Sequence, residues 1–183
     1  MLQYFNYNHN KKVPLDDTVV INGQGCGEVA KMKYGLFHMS YNGCEMIALH
    51  NSMLLTGRKT SLKEICRYMY PRAYGIMGIF GSNPVLLGSF YKKEGVRYRM
   101  TYDYNDFFNS LRNVPVAVIS FWNPPSKPFH GIHTVTVQLT EDEKIKIYNR
   151  YNSKDFPYEY VDRHDFMPDK TNFICGYLIE ERM

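Results

Sequence analysis

Apolar and polar residues follow two different rhythms along this chain, and the change falls near residue 114. Before it, apolar residues recur every three to four positions, the spacing of one helix face. The stretch from Cys44 to Thr56 has this pattern and closes at Gly57. A second helix is expected from the capping box Ser61-Leu62-Lys63-Glu64, stopping before Pro71. Glycines break the stretch from Tyr74 to Gly81, which reads as a loop. A third helix opens on Asn83 as cap with Pro84 in its first turn, and Gly95 ends it. A fourth covers Asn105 to Arg112.

After residue 114 the rhythm shortens to two. Val116 to Phe121 is a β-branched apolar run, and the proline-rich loop Asn123 to Pro128 follows it. Ile132 to Leu139 and Lys144 to Tyr148 alternate on either side of Glu141-Asp142-Glu143, which predicts a hairpin. Asn172 to Glu180 is a last strand. Residues 1–35 are the least regular, with Thr18 to Ile21 as a short strand before the turn Asn22 to Gly25. Helices over 44–113, then a mostly antiparallel sheet over 114–180, predict an α+β fold. The length of 183 residues suits one domain spanning 1–183.

Composition narrows the classes. Hydrophobic residues are 44% and charged residues 22%, ordinary for a globular protein. The net charge of +4 is spread along the chain, so no nucleic-acid partner is expected. No apolar run reaches 18 residues, so no membrane span is expected, and the first dozen residues lack a signal-peptide core. A cytoplasmic protein with free thiols is the expectation. Its four cysteines include no CxxC pair, so no metal or other cofactor is expected. Cys66 and Cys175 read as small buried hydrophobes.

Cys44 reads differently. The turn Tyr41-Asn42-Gly43 precedes it and a helix follows. A thiol in the first turn of a helix faces unpaired N–H groups and the positive end of the dipole, which favour the thiolate. His133 stands after Gly131 at the start of a strand, a rigid mount for a general base. Asn149 ends the partner strand, 16 residues on, where it could orient the imidazole. Asn152 and Asp155 compete for that role, and His130 competes with His133. Trp122 and Phe129 bracket the proline-rich loop as candidate substrate contacts.

Cysteine, histidine and asparagine in this order, within Tyr41-Asn42-Gly43-Cys44-Glu45-Met46-Ile47-Ala48, Gly131-Ile132-His133-Thr134-Val135 and Ile147-Tyr148-Asn149, resemble the papain-like cysteine peptidases. The segment Phe80 to Pro84 and its helix extend the likeness, which is nearest to stand-alone relatives of the bacteriocin leader peptidases and covers about residues 40–150. The resemblance implies a papain-like fold, a nucleophile at Cys44, a base at His133, an orienting residue at Asn149 and a peptide or protein substrate. It also implies a glutamine six residues before the cysteine to bind the oxyanion, where this chain has His38. His38 and Asn42 are then the candidate oxyanion donors, with Gln24 as an alternative. Other readings are a silent peptide-binding domain, an acyltransferase, and a metal site built on Cys44, His133 and His38 or His130.

Overall fold

A β-branched run needs cover on both faces, and Val116–Trp122 (β4) receives it at the centre of a six-stranded sheet. The computed structural model describes residues 1–73, 82–123 and 131–180. Ile132–Leu139 (β5) and Phe173–Ile179 (β8) flank β4. Tyr98–Thr101 (β3) lies beyond β8, and Ile145–Tyr148 (β6) and Tyr158–Tyr160 (β7) lie beyond β5. Every neighbouring pair is antiparallel. A small hairpin joins Lys33–Tyr34 (β1) to Phe37–His38 (β2).

Seven α-helices accompany the strands among the described residues: Leu2–Asn10 (α1), Met39–Asn42 (α2), Cys44–Leu55 (α3), Leu62–Ala73 (α4), Gly88–Lys93 (α5), Tyr104–Ser110 (α6) and Arg163–Phe166 (α7). Strand alternation sorts the sheet residues between two covers. One face carries Val118, Cys175, Tyr177 and Ile179 against α3, α4 and α5. The other carries Ala117, Ile119, Val135 and Val137 against the aromatic rings of α6 and α7. Gly176 on β8 is required there, because the Phe107 ring occupies the place of a Cβ. The mixed α+β class is therefore present, with helices on both faces of an antiparallel sheet.

Helix α3 is buried from Cys44 through Met53, including Glu45, His50, Asn51 and Ser52. Its pattern is less one-sided than an amphipathic surface helix, because the sheet covers one side and α4 another. Thr136 Oγ1 donates to the Ala48 carbonyl at 3.2 Å and ties β5 to α3.

Four expectations change. The second helix continues through Pro71 to Ala73. Proline has no N–H for the carbonyl of Arg67, and Gln3 Nε2 of α1 donates to that carbonyl instead. Thr18 to Ile21 forms no strand. The Asn51 side chain takes the place of a neighbouring strand, accepting from Ile21 N and donating to Ile21 O, both at 2.8 Å. The irregular N-terminal segment contains α1, which docks through asparagines rather than an apolar stripe. Asn6 Nδ2 donates to Gly35 O at 2.7 Å, and Asn10 pairs with both main-chain groups of Lys33. Finally, β3 interrupts the stretch expected to be helical. The hairpin, the strands over 116–121 and 172–180, the helix starting at Cys44 and the Asn83 cap match the sequence reading. The loops expected at 74–81 and, from residue 124 on, at 123–128 lie outside the described residues. No helix among the described residues is long and apolar enough to cross a membrane.

Candidate active site

Gly43 sets the entry to α3. A side chain there would press on the Met39 carbonyl at 2.7 Å, so the turn between α2 and α3 is closed only with glycine. Cys44 follows in the first turn and is buried, at 3% exposure. Its Sγ lies 3.9 Å from the Ile132 carbonyl, and the Thr134 N–H faces it from the same strand. The thiol therefore sits against the backbone on either side of His133. The pairing of β5 with β6 runs from Leu139 to Thr136, so the main chain of 132–134 faces Cys44 beyond the end of that ladder.

His133 leaves β5 on the opposite face. It stands beside Phe121, ring centroids 5.7 Å apart in an edge-to-face arrangement. Its Nε2 lies 2.9 Å from the Asn149 main-chain oxygen. A carbonyl only accepts, so Nε2 donates, and a neutral imidazole keeps its lone pair on Nδ1. Burial lowers the His133 pKa to about 4, and the Arg150 charge adds to the effect. The ring is a neutral base at pH 7. No hydrogen bond among the described residues joins its nitrogens to Cys44.

Asn149 thus meets His133 through its backbone and not its amide. The hairpin register explains this. Tyr148 pairs with Thr136, so Asn149 falls short of the position opposite His133. Its φ of +59° turns the chain out of the strand and its carbonyl toward the ring. The side chain points elsewhere. Asn149 Oδ1 accepts from Gln24 N at 3.0 Å, and Nδ2 donates to Gln24 Oε1 at 3.1 Å. Gln24 Nε2 in turn donates to Ser40 O, in the short helix α2 that leads to Cys44. Gln24 links the residue behind the base to the segment before the thiol.

The other candidates are more dispersed. His38 ends β2 with an exposed ring that forms no hydrogen bond to another described residue. Asn42 is buried and donates to the Tyr34 carbonyl at 3.0 Å. Trp122 is half exposed at the end of β4. Asn152 and Asp155 are exposed, and neither is bonded to His133. Phe129 and His130 lie outside the described residues. Among the described residues no group of three or more His, Cys, Asp or Glu stands together as a metal site.

One residue of the site went unread in the sequence. Glu45 is fully buried, and Cys44 Sγ donates to its Oε2 at 3.3 Å. Its Oε1 is buried with no hydrogen-bond partner. Burial lifts the Glu45 pKa to about 7, against the pull of main-chain N–H groups of its own residue and Ser82. The Cys44 thiol is pushed well above its ordinary range, first by burial and then by the Glu45 charge. The N–H groups of Thr134 and Glu45 oppose that rise without cancelling it. A carboxylate directly before the apolar run Met46-Ile47-Ala48-Leu49 was the available signal. No family model and no curated protein matches the chain.

Proposed function

We propose that this chain is a cysteine peptidase of papain-like type, acting on a peptide or protein through an acyl-enzyme on Cys44. The observation that carries this reading is the seating of the Cys44 thiol against the main chain flanking His133, whose Nε2 is anchored by Asn149. The electrostatics favour a neutral resting pair, thiol and imidazole, over a preformed ion pair. In the proposed reaction Sγ bonds to the substrate carbonyl carbon while its proton is relayed through solvent around the end of β5 to His133 Nδ1, which lies on the other face of the strand. The main-chain N–H of Cys44 bears the oxyanion. Collapse breaks the C–N bond, and the imidazolium returns the proton to the leaving amine. Water, deprotonated by the same imidazole, then cleaves the thioester and restores the thiol. An amine in place of water would give acyl transfer by the same steps. The four free thiols suit a reducing compartment such as the cytoplasm.

The test pairs chemistry with labelling. A mixture of synthetic peptides incubated with the protein and read by mass spectrometry should show cleavage, abolished by Cys44→Ala and by His133→Ala. Iodoacetamide should modify Cys44 ahead of the buried Cys66 and Cys175, whose thiol pKa values burial raises. Equal labelling of all cysteines, with no peptide cleaved, would overturn the reading.

A second reading has its own observation. The Cys44 thiol is held by Glu45, not by His133, and His38 is exposed where an oxyanion donor was expected. Both suit a domain that binds a leader or tail peptide without cutting it. Peptide binding by the native protein without turnover, unchanged in Cys44→Ala, would select that reading.

A further inference from the structure

Within the peptidase reading, one carboxyl group has no role in the steps above. Glu45 is buried as deeply as any residue of the core, yet no salt bridge involves it among the described residues. Its surroundings are few. On its own helix it meets the Cys44 thiol. From the segment before α5 it receives the Ser82 N–H, and Ser82 Oγ is itself bonded to Tyr34 Oη at 3.1 Å. From β5 the groups nearest the thiol are the Ile132 carbonyl and the Thr134 N–H, with His133 between them. The neighbouring titratable groups are thus Cys44, Tyr34 and His133, and none supplies a positive charge at neutral pH. A buried carboxylate of this kind is ordinarily paired or absent.

We propose that Glu45 is a positioning residue that holds Cys44 in its resting thiol form: the carboxylate accepts the thiol proton in a hydrogen bond, and its charge opposes a second negative charge on the adjacent sulfur, so Cys44 becomes a strong nucleophile only when Glu45 is protonated. Two anions a few ångströms apart in a dry site cannot both form cheaply. The proton on Sγ is therefore retained while Oε2 is ionised. When Glu45 carries a proton it becomes a donor, and the thiolate left once Sγ loses its proton gains a hydrogen bond in place of a repulsion. The device rests on the assignment of Cys44 as nucleophile, but it makes a separate statement about the thiol itself.

The experiment is a titration of Cys44, followed by its thiolate absorbance in the ultraviolet and by the rate of alkylation with iodoacetamide at that residue. Native protein, Glu45→Gln and Glu45→Asp are compared, each checked for folding by circular dichroism. Glu45→Gln keeps shape and removes charge, so the Cys44 pKa should fall by at least about one unit and alkylation at pH 8 should rise about tenfold. Glu45→Asp keeps the charge and should leave the thiol close to native. An unchanged Cys44 titration in Glu45→Gln overturns the proposal. Should the variants fail to fold, the native alkylation profile decides. Two ionisations, one of the carboxyl and one of the thiol, support the proposal, and a single ionisation overturns it. Failure of the peptidase reading appears separately, as absent cleavage with the thiol titration still shifted by Glu45→Gln.

Discussion

The two ends of helix α3 solve the same problem in opposite ways. Both bury polar side chains completely. At Asn51 the carboxamide meets the N–H and the carbonyl of Ile21 at 2.8 Å each. At Glu45 one carboxylate oxygen accepts from a thiol and the other has no hydrogen-bond partner, and only the N–H groups of Glu45 itself and Ser82 soften the buried charge. A buried polar group stabilises when it is fully paired and costs when it is not. Asn51 is therefore read as structure and Glu45 as chemistry. The contrast teaches that burial alone does not separate the two; completeness of pairing does.

The strongest way to break the contrast is Asn51→Ala. It strips both main-chain partners from Ile21 in a buried setting, and should cost about 4 kcal/mol of stability at one to three per orphaned group. Chemical denaturation measures it. The Cys44 titration of the folded fraction should not move. A loss well below 1 kcal/mol would put Asn51 in the same class as Glu45.

Glu45→Gln should do the reverse, with pH as the lever. The carboxyl titrates near 7 in the fold and near 4.5 in the unfolded chain. Between those values the folded state holds more protons, so the Glu45 contribution to stability falls as pH rises and is flat above 7. His133 works in the other direction. Its imidazole titrates near 4 in the fold and 6.5 outside it, so its contribution rises with pH over that window. The native curve is a partial cancellation. Removing the carboxyl leaves the histidine side, and Glu45→Gln should gain about 3 kcal/mol on native protein between pH 4.5 and 7. Denaturation curves at pH 4.5, 6 and 7.5 test this. A gap that stays constant across them would mean the carboxyl is not desolvated in the fold.

Asn149→Gly sharpens the contrast at a smaller scale. Glycine accepts the φ of +59° and keeps the carbonyl on His133, while the two side-chain bonds to Gln24 are lost. Stability should fall by about 1–2 kcal/mol. Cleavage, if the peptidase reading holds, should fall less than tenfold. A loss approaching about 10⁴, the size seen when an orienting side chain is removed from a triad, would return the role to the amide.

The sequence made the framework legible where a single local rule decided it. The alternation of Ile132 to Leu139 and of Lys144 to Tyr148 is a two-residue rhythm, and the hairpin follows. Asn83 with Pro84 is a cap, and Val85 N donates to Asn83 Oδ1 at 3.0 Å. Elements built from distant partners could not be read this way. Helix α1 has no apolar stripe because its contacts are asparagine to backbone over more than twenty residues of separation. Pro71 marks a helix end only if nothing else reaches the Arg67 carbonyl, and Gln3 does. In the site, sequence order brought forward Cys44, His133 and Asn149. It could not tell that a positive φ would offer the Asn149 carbonyl in place of its amide. Glu45 was hidden by its own helix, since a carboxylate in a first turn is also what a surface helix would choose.

The segment around Ile21 has a dynamic consequence. One side chain, not a ladder, holds Ile21, and the next residues carry Asn22 and Gln24, which clamp Asn149 from both its main-chain and side-chain groups. A breathing motion that lifts residues 21–24 needs no strand to unzip. It would let go of the residue anchoring the imidazole and of the Ser40 carbonyl before Cys44 in one movement. Amide exchange at Gln24 would then keep time with exchange at Asn149, so the part of the chain with the least regular sequence sets the tempo at which the anchor of the imidazole and the segment before the thiol loosen together.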